Sequence, residues 1–274
     1  MVEMSTVWDR TSAFVASALA AVLPIAAVLL FVPIAIEIVF MPALAAHQWA
    51  RQLLTIVLWI VELSGTLALI VLALGATLHA GEAFRAAVAR LPQAIGILVL
   101  LFIIAGITAL PLGIVLAASG VDITALRAGA AAPMPTISPG LALFLILYAL
   151  AWIVFIVWAT ARLIVIEPVI LAERRGIGAI GRAFALTRGL TWRIVGVLIL
   201  YAIVATVAVL AAREVFGALF GLIASGDGTI TLAAILTALV VAIVSAGFKT
   251  VAAVFVGKLY QAIGESAERR ADLL

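Results

Sequence analysis

The chain has no cysteine, only two histidines, and charged residues make up just 11% of its 274 positions. Without cysteine there is neither a disulfide nor thiolate chemistry, although compartment does not follow, because a bundle embedded in lipid needs no covalent staple. The scarcity of charge excludes more. A soluble domain carries about 25% charged residues and is about half apolar, whereas 67% of this chain is hydrophobic. A soluble fold of this length would bury one core and keep a polar shell, and too few polar residues are present to make that shell, so the surrounding solvent must be lipid.

Six apolar runs, at about 14–40, 53–78, 94–118, 141–166, 194–212 and 230–256, are long enough to cross a hydrocarbon core of about 30 Å, which takes about 20 helical residues. A closed barrel would alternate lipid-facing apolar with inward polar residues. These runs are apolar all round, which predicts an all-α polytopic transmembrane bundle forming one integral membrane domain over 1–274. The first run resembles a secretory signal, but Glu3 and Asp9 precede it and it far exceeds the roughly 7–15 residues of a signal core, so it is read as a retained span.

Basic residues orient the bundle. With the N-terminus inside, the cytoplasmic segments hold Arg10, Arg85, Arg90, Arg174, Arg175, Arg182, Arg188, Arg193, Lys258, Arg269 and Arg270, against only Arg51, Arg127 and Arg213 outside. Both termini are therefore expected in the cytoplasm, with the chain in a bacterial inner membrane. The sequence pI near 9.8 does not point to nucleic acid, since the cations sit beside span ends, where each gains about 1 kcal/mol from anionic headgroups. The expected partners are membrane lipids; association with a second copy or another membrane protein stays open.

A displacement of about 100 residues aligns 81–110 with 181–210 without a gap, and both copies begin Gly-x-Ala-Phe, at Gly81 to Phe84 and Gly181 to Phe184. The reading is a parallel internal repeat over 53–118 and 141–212, each copy a descending span, a cytoplasmic amphipathic segment and a rising span. Such repeats occur in transporters, and duplication also builds scaffolds.

The stretch 162–193 carries the densest chemistry. Pro168 is expected to end or kink the fourth span, because it lacks a backbone donor and clashes with the preceding turn. Wound as one helix, the residues after it would place Arg174, Arg175, Arg182, Arg188 and Arg193 within an arc of about 140°, opposite Ile177, Ile180, Ala183 and Leu190. That describes an interfacial helix lying along the inner leaflet with its arginines on lipid phosphates. Glycines at about 1 kcal/mol each relative to Ala predict that it is broken.

Arg162, Pro168, Glu173, Leu186, Thr187, Arg188, Gly189, Trp192 and Arg193 stand in an order similar to the signature of the membrane domain attached to some glycerophosphoryl diester phosphodiesterases and of stand-alone inner-membrane proteins of the YciC type. Ala183 replaces the usual Ser of that pattern and Phe184 the more usual Trp. The match covers about thirty residues, extended weakly by the six-span layout and by Tyr260. The resemblance implies an inner-membrane protein of envelope or lipid context; it implies no activity.

No catalytic site, cofactor or metal site is expected. His47 and His79 fall near opposite membrane faces and cannot share a metal. Gly176-Ile-Gly-Ala-Ile-Gly181 matches a dinucleotide fingerprint, but it lacks the flanking strand, and Tyr201 stands where an acid is needed. Gly217 and Gly221 form a Gly-x-x-x-Gly suited to close helix packing. Among intramembrane charges, Glu37, Arg162 and Lys249 can reach an interface, whereas Glu62 lies about 14 Å deep. Charge at that depth costs a few kcal/mol, so Glu62 must be neutral or paired inside the bundle. Envelope or membrane-lipid homeostasis without catalysis is the first expectation. A small-solute or lipid transporter or permease subunit is the alternative.

Overall fold

The computed structural model describes residues 2–77, 79–118, 138–223 and 231–271. Six helical segments are long and apolar enough to cross a membrane: Leu19–Phe40, Gln48–Ala73, Ala80–Ala118, Pro139–Glu173, Thr191–Leu222 and Leu232–Arg269. Every regular element among the described residues is a helix, as hydrocarbon demands of a segment that must satisfy its own peptide groups. The chain is an all-α polytopic bundle. Two outer turns expected from sequence punctuation, Gly120 to Gly140 with its three prolines and Ser225-Gly-Asp-Gly228, fall mainly on residues 119–137 and 224–230, outside the described residues.

The first span begins later than its apolar run. Helix α1 (Met4–Ser17) includes Phe14, and the chain bends at Ala18 before the span starts at Leu19. α1 is amphipathic: Val7 and Thr11 are buried, while Asp9 and Arg10 are exposed. The span comprises α2 (Leu19–Ile25), a π-helical turn (Ala26–Phe31) and α3 (Val32–Phe40). Pro33 lies just past the widened turn; it cannot donate to Leu29 and its ring crowds that turn, and a π-bulge absorbs such a mismatch without ending the helix.

The packed centre is α4 (Gln48–Ala73), flanked by the first span and by the final helix, α10 (Leu232–Ala271). Eleven of its 26 residues are buried, among them Leu67, Ala68, Leu69 and Ile70, so this span is enclosed by protein over more of its length than any other. Two glycines permit that closeness. A Cβ on Gly65 would stand 2.7 Å from Leu29 Cβ, and one on Gly257 would stand 2.8 Å from Ala73 Cβ. Gly217 and Gly221, the expected close-packing pair, show no such constraint: a Cβ on Gly217 would meet Thr237 at an ordinary 3.7 Å, and nothing lies within 4 Å of Gly221. Flanking residues, more than the motif, decide how near two helices come.

The remaining spans continue as α5 (Ala80–Ala118), α6 (Pro139–Leu163) and α9 (Thr191–Ile223). α5 packs on α4, α6 on α5, α9 on α6, and α10 on both α9 and α4. Two short helices, α7 (Ile166–Glu173) and α8 (Gly178–Leu186), stand between α6 and α9. α7 packs against α4, α5 and α10 with Ile166, Pro168, Val169 and Ile170 buried, and so plugs one end of the bundle. That end carries α1, α8 and the C-terminal part of α10, and is called here the basic face.

Candidate functional site

Glu62 is paired. Its carboxylate receives the Lys249 ammonium across the α4–α10 contact. Glu62 is 14 residues into a 26-residue helix, about 21 Å from one end and 17 Å from the other at 1.5 Å per residue. The carboxylate side is enclosed and the lysine side half-exposed, at 14% and 46%. Of the two expectations for this acid, pairing within the bundle is the one realised. The same contact is braced by Tyr201, which donates to the Phe248 carbonyl beside Lys249.

Toward the basic face, α10 caps α4. The Lys258 ammonium donates to the Ala73 carbonyl and Gln261 to that of Leu74 at 3.0 Å, satisfying carbonyls that a helix end leaves without intrahelical partners. Lys258 also lies 4.5 Å from the Phe14 ring centroid, and Arg10 meets Glu265 at 2.9 Å. These contacts hold α1 across the end of the bundle.

The arginine-rich segment is broken, as its glycines predict, so the arc of five arginines that one continuous helix would present does not form. α7 stops at Glu173, Arg174 takes a left-handed conformation (φ 53°), and Gly189 at φ 83° separates α8 from α9. The break preceding α7 falls at Ile164 and Val165 rather than at Pro168 itself. A proline forfeits its bond to, and crowds, the carbonyl four residues earlier, which is that of Ile164; Pro168 then occupies the first turn of α7, where an N–H is not needed.

Glu173 organises this segment. One oxygen accepts from Arg182 Nε at 2.9 Å and from the Tyr260 hydroxyl at 3.2 Å, and the other faces Arg175 Nε at 2.8 Å. Arg175 and Arg182 are thus engaged within the protein, while Arg174 and Arg188 are exposed with no ion-pair partner among the described residues. Arg193, also exposed, donates to the Val2 carbonyl at 3.4 Å. Thr187 is fully buried, and its hydroxyl reaches the carbonyls of Arg162 at 3.0 Å and Ala183 at 2.8 Å, tying the end of α8 to the end of α6. Trp192 is 76% exposed. Of the residues quoted for the family resemblance, Arg162 and Thr187 are joined where α6 meets α8, whereas Trp192 and Arg193 belong to α9.

Arg162 is the least satisfied of them. Its guanidinium carbon lies 5.1 Å from the Phe184 ring centroid and 6.0 Å from that of Trp158, and those rings contact each other edge to face at 5.7 Å. Phe184 thus supplies an aromatic face for the cation. Its Nε is buried without a hydrogen-bond partner.

Trp158 and Phe184 also line a groove of about 610 Å³ between α5 and α6, within the roughly 300–1,000 Å³ of small-molecule pockets. Leu98, Leu101, Phe102, Ala105, Phe155 and Ala159 form most of its walls, and Ile166, Glu167 and Ile180 close the end at the basic face. At the other end the two spans are clamped: Tyr148 donates to the Thr108 carbonyl at 2.7 Å and Trp152 Nε1 to its hydroxyl at 3.2 Å. The flank is open, since Phe102, Phe155 and Trp158 are exposed.

Sequence reasoning missed the groove and Glu167. The acid interrupts an otherwise apolar run from Leu163 to Ala172, which is a signal, but taking Pro168 as the end of the span put Glu167 outside the membrane. Among the described residues no cluster of His, Cys, Asp and Glu is placed to hold a metal. No family model, curated protein or solved structure matches the chain.

Proposed function

We propose that this multi-pass membrane protein serves envelope or membrane-lipid homeostasis by engaging phospholipid headgroups, without catalysing a reaction. The observation that carries the reading is the division of labour among the arginines of the basic face: Glu173 takes Arg175 and Arg182, leaving Arg174 and Arg188 exposed beyond the span ends. Such cations at a membrane boundary attract anionic headgroups at about 1 kcal/mol each. The likeness of 162–193 to the phosphodiesterase-associated membrane domain and YciC-type proteins supports the same context. So does the distribution of Lys and Arg, which favours a cytoplasmic basic face and cytoplasmic termini.

The direct test is the lipid composition and membrane integrity of a deletion strain; an unaltered lipid profile with an intact envelope overturns the reading. In reconstituted form, Arg174→Glu with Arg188→Glu weakens association with anionic liposomes, whereas Arg175 and Arg182 report on the Glu173 contacts instead. The transporter reading draws on the membrane-embedded Glu62–Lys249 pair. Gradient-driven flux in proteoliposomes, altered in its pH dependence by Glu62→Gln, would favour it.

A further inference from the structure

We infer that the groove between α5 and α6 is a binding site for one membrane glycerophospholipid, an acyl chain lying along the groove and the phosphate meeting Arg162 at its basic end. The inference deepens the lipid reading above and rests on the basic face lying at a headgroup layer.

Dimensions agree with this occupant. The α6 wall runs from Phe155 to Leu163 and the α5 wall from Leu98 to Ala105, about 12 Å and 10 Å at 1.5 Å per residue. That is most of one leaflet's share of a core about 30 Å thick. The Thr108 clamp with Tyr148 and Trp152 closes the groove on its far side, so a chain lying along it from the basic end stops at the clamp. The open flank toward lipid admits the chain laterally, with no passage through water.

Charge supplies the second argument. Arg162 is the penultimate residue of α6, beside the break that precedes α7 and so toward the basic face. Its guanidinium is held against Trp158 and Phe184, two residues of the groove wall, yet its buried Nε has no hydrogen-bond partner and no carboxylate lies within ion-pair distance among the described residues. A buried donor of this kind is costly unless satisfied, and a planar guanidinium matches a phosphate with paired hydrogen bonds. Glu167, at the closed end, is the only acid among the described residues that line the groove. It stands with Ile166 and Ile180 at the same end as Arg162, where uncharged glycerol-ester oxygens lie nearest its carboxyl while the phosphate meets the Arg162 guanidinium.

The test uses the full-length protein in mild detergent, with a phospholipid carrying a photoreactive diazirine in its acyl chain and, separately, the matching diacylglycerol. Expected labelling concentrates on 98–105 and 155–167 and is competed by unlabelled phospholipid. Ala159→Trp, which fills the groove, removes it. Arg162→Gln weakens phospholipid retention about tenfold, as loss of one charge-assisted contact implies, and leaves the diacylglycerol unchanged. Labels spread evenly over all exposed spans of the wild type, which needs no variant to fold, would overturn the site. So would equal retention of phospholipid and diacylglycerol in the wild type. Groove labelling in a protein whose deletion leaves the lipid profile unaltered would keep the site and remove the homeostasis reading; the reverse pair of results would do the opposite.

Discussion

The α4–α10 contact and the α5–α6 contact are built from nearly the same apolar alphabet, yet one is sealed and the other holds a groove. Along α4, small residues face the neighbours: Gly65 lies against Leu29, and Ala73 against Gly257. Backbones there approach until dispersion contacts are complete, the main source of helix association where lipid is as apolar as the side chains. Along α5 and α6 the small residues have no such counterpart. Gly106 and Gly113 meet nothing within 4 Å, while Phe102, Phe155 and Trp158 stand exposed. Hydrophobicity inserts both pairs of spans; local side-chain volume decides which pair closes.

The sharpest way to break this comparison is to put side chains where they differ. Gly257→Leu drives a branched side chain into Ala73, and about 1–3 kcal/mol or more is expected for such overpacking; thermal unfolding in detergent should show a marked loss of stability. Gly113→Leu, with nothing within 4 Å, should be nearly silent. Equal losses at the two sites would dissolve the contrast between sealed and open contacts.

Next in size is the ion pair that crosses the sealed contact. Lys249→Met leaves the largely enclosed Glu62 without its partner, and removing one partner of a buried pair costs about 3–5 kcal/mol, a figure reduced here to about 1–3 because the lysine is half-exposed. The double variant Glu62→Gln with Lys249→Met should recover much of the loss. Purely additive losses would mean that the pair is not coupled.

Two smaller effects probe the open side. Thr187→Val removes the hydroxyl that ties α8 to the Arg162 carbonyl, and Thr108→Val removes the acceptor of Trp152 in the clamp. Each should cost about 0.5–1.5 kcal/mol, the net worth of one hydrogen bond. The first should also increase hydrogen exchange in α8 while leaving α4 protected. Protection lost throughout the bundle would show that the basic face is not a separable layer. Smallest of all, Phe102→Leu on the exposed flank should shift stability by no more than about 0.5 kcal/mol, yet reduce acyl-chain labelling in the groove.

Much of the architecture is readable along the chain because a bilayer imposes a simple length requirement on each apolar run. Glu62 was also legible as an acid that needed a partner, since charge in hydrocarbon is costly whatever the fold. Its partner was not, because Lys249 is 187 residues away and lies in a helix whose rotation is set by packing. The gathering of Arg162, Phe184 and Thr187 was hidden for a related reason. It depends on where the chain breaks around Pro168 and Gly189, and a proline displaces the break to the carbonyl it cannot serve. Glu167 was lost through that same displacement of four residues.

Composition and run length alone thus determined that the chain is a helical membrane protein of about six spans, and the placement of Lys and Arg set the orientation expected of it, because insertion depends on transfer free energies that each segment carries with it. Tertiary structure alone decided that α4 is the enclosed span, that Gly65 and Gly257 rather than Gly217 and Gly221 are the points of closest approach, that Glu62 meets Lys249, and that α5 and α6 part beside Arg162. Those outcomes depend on helix rotation and on volume matched between segments distant in the chain, properties that no single segment possesses by itself.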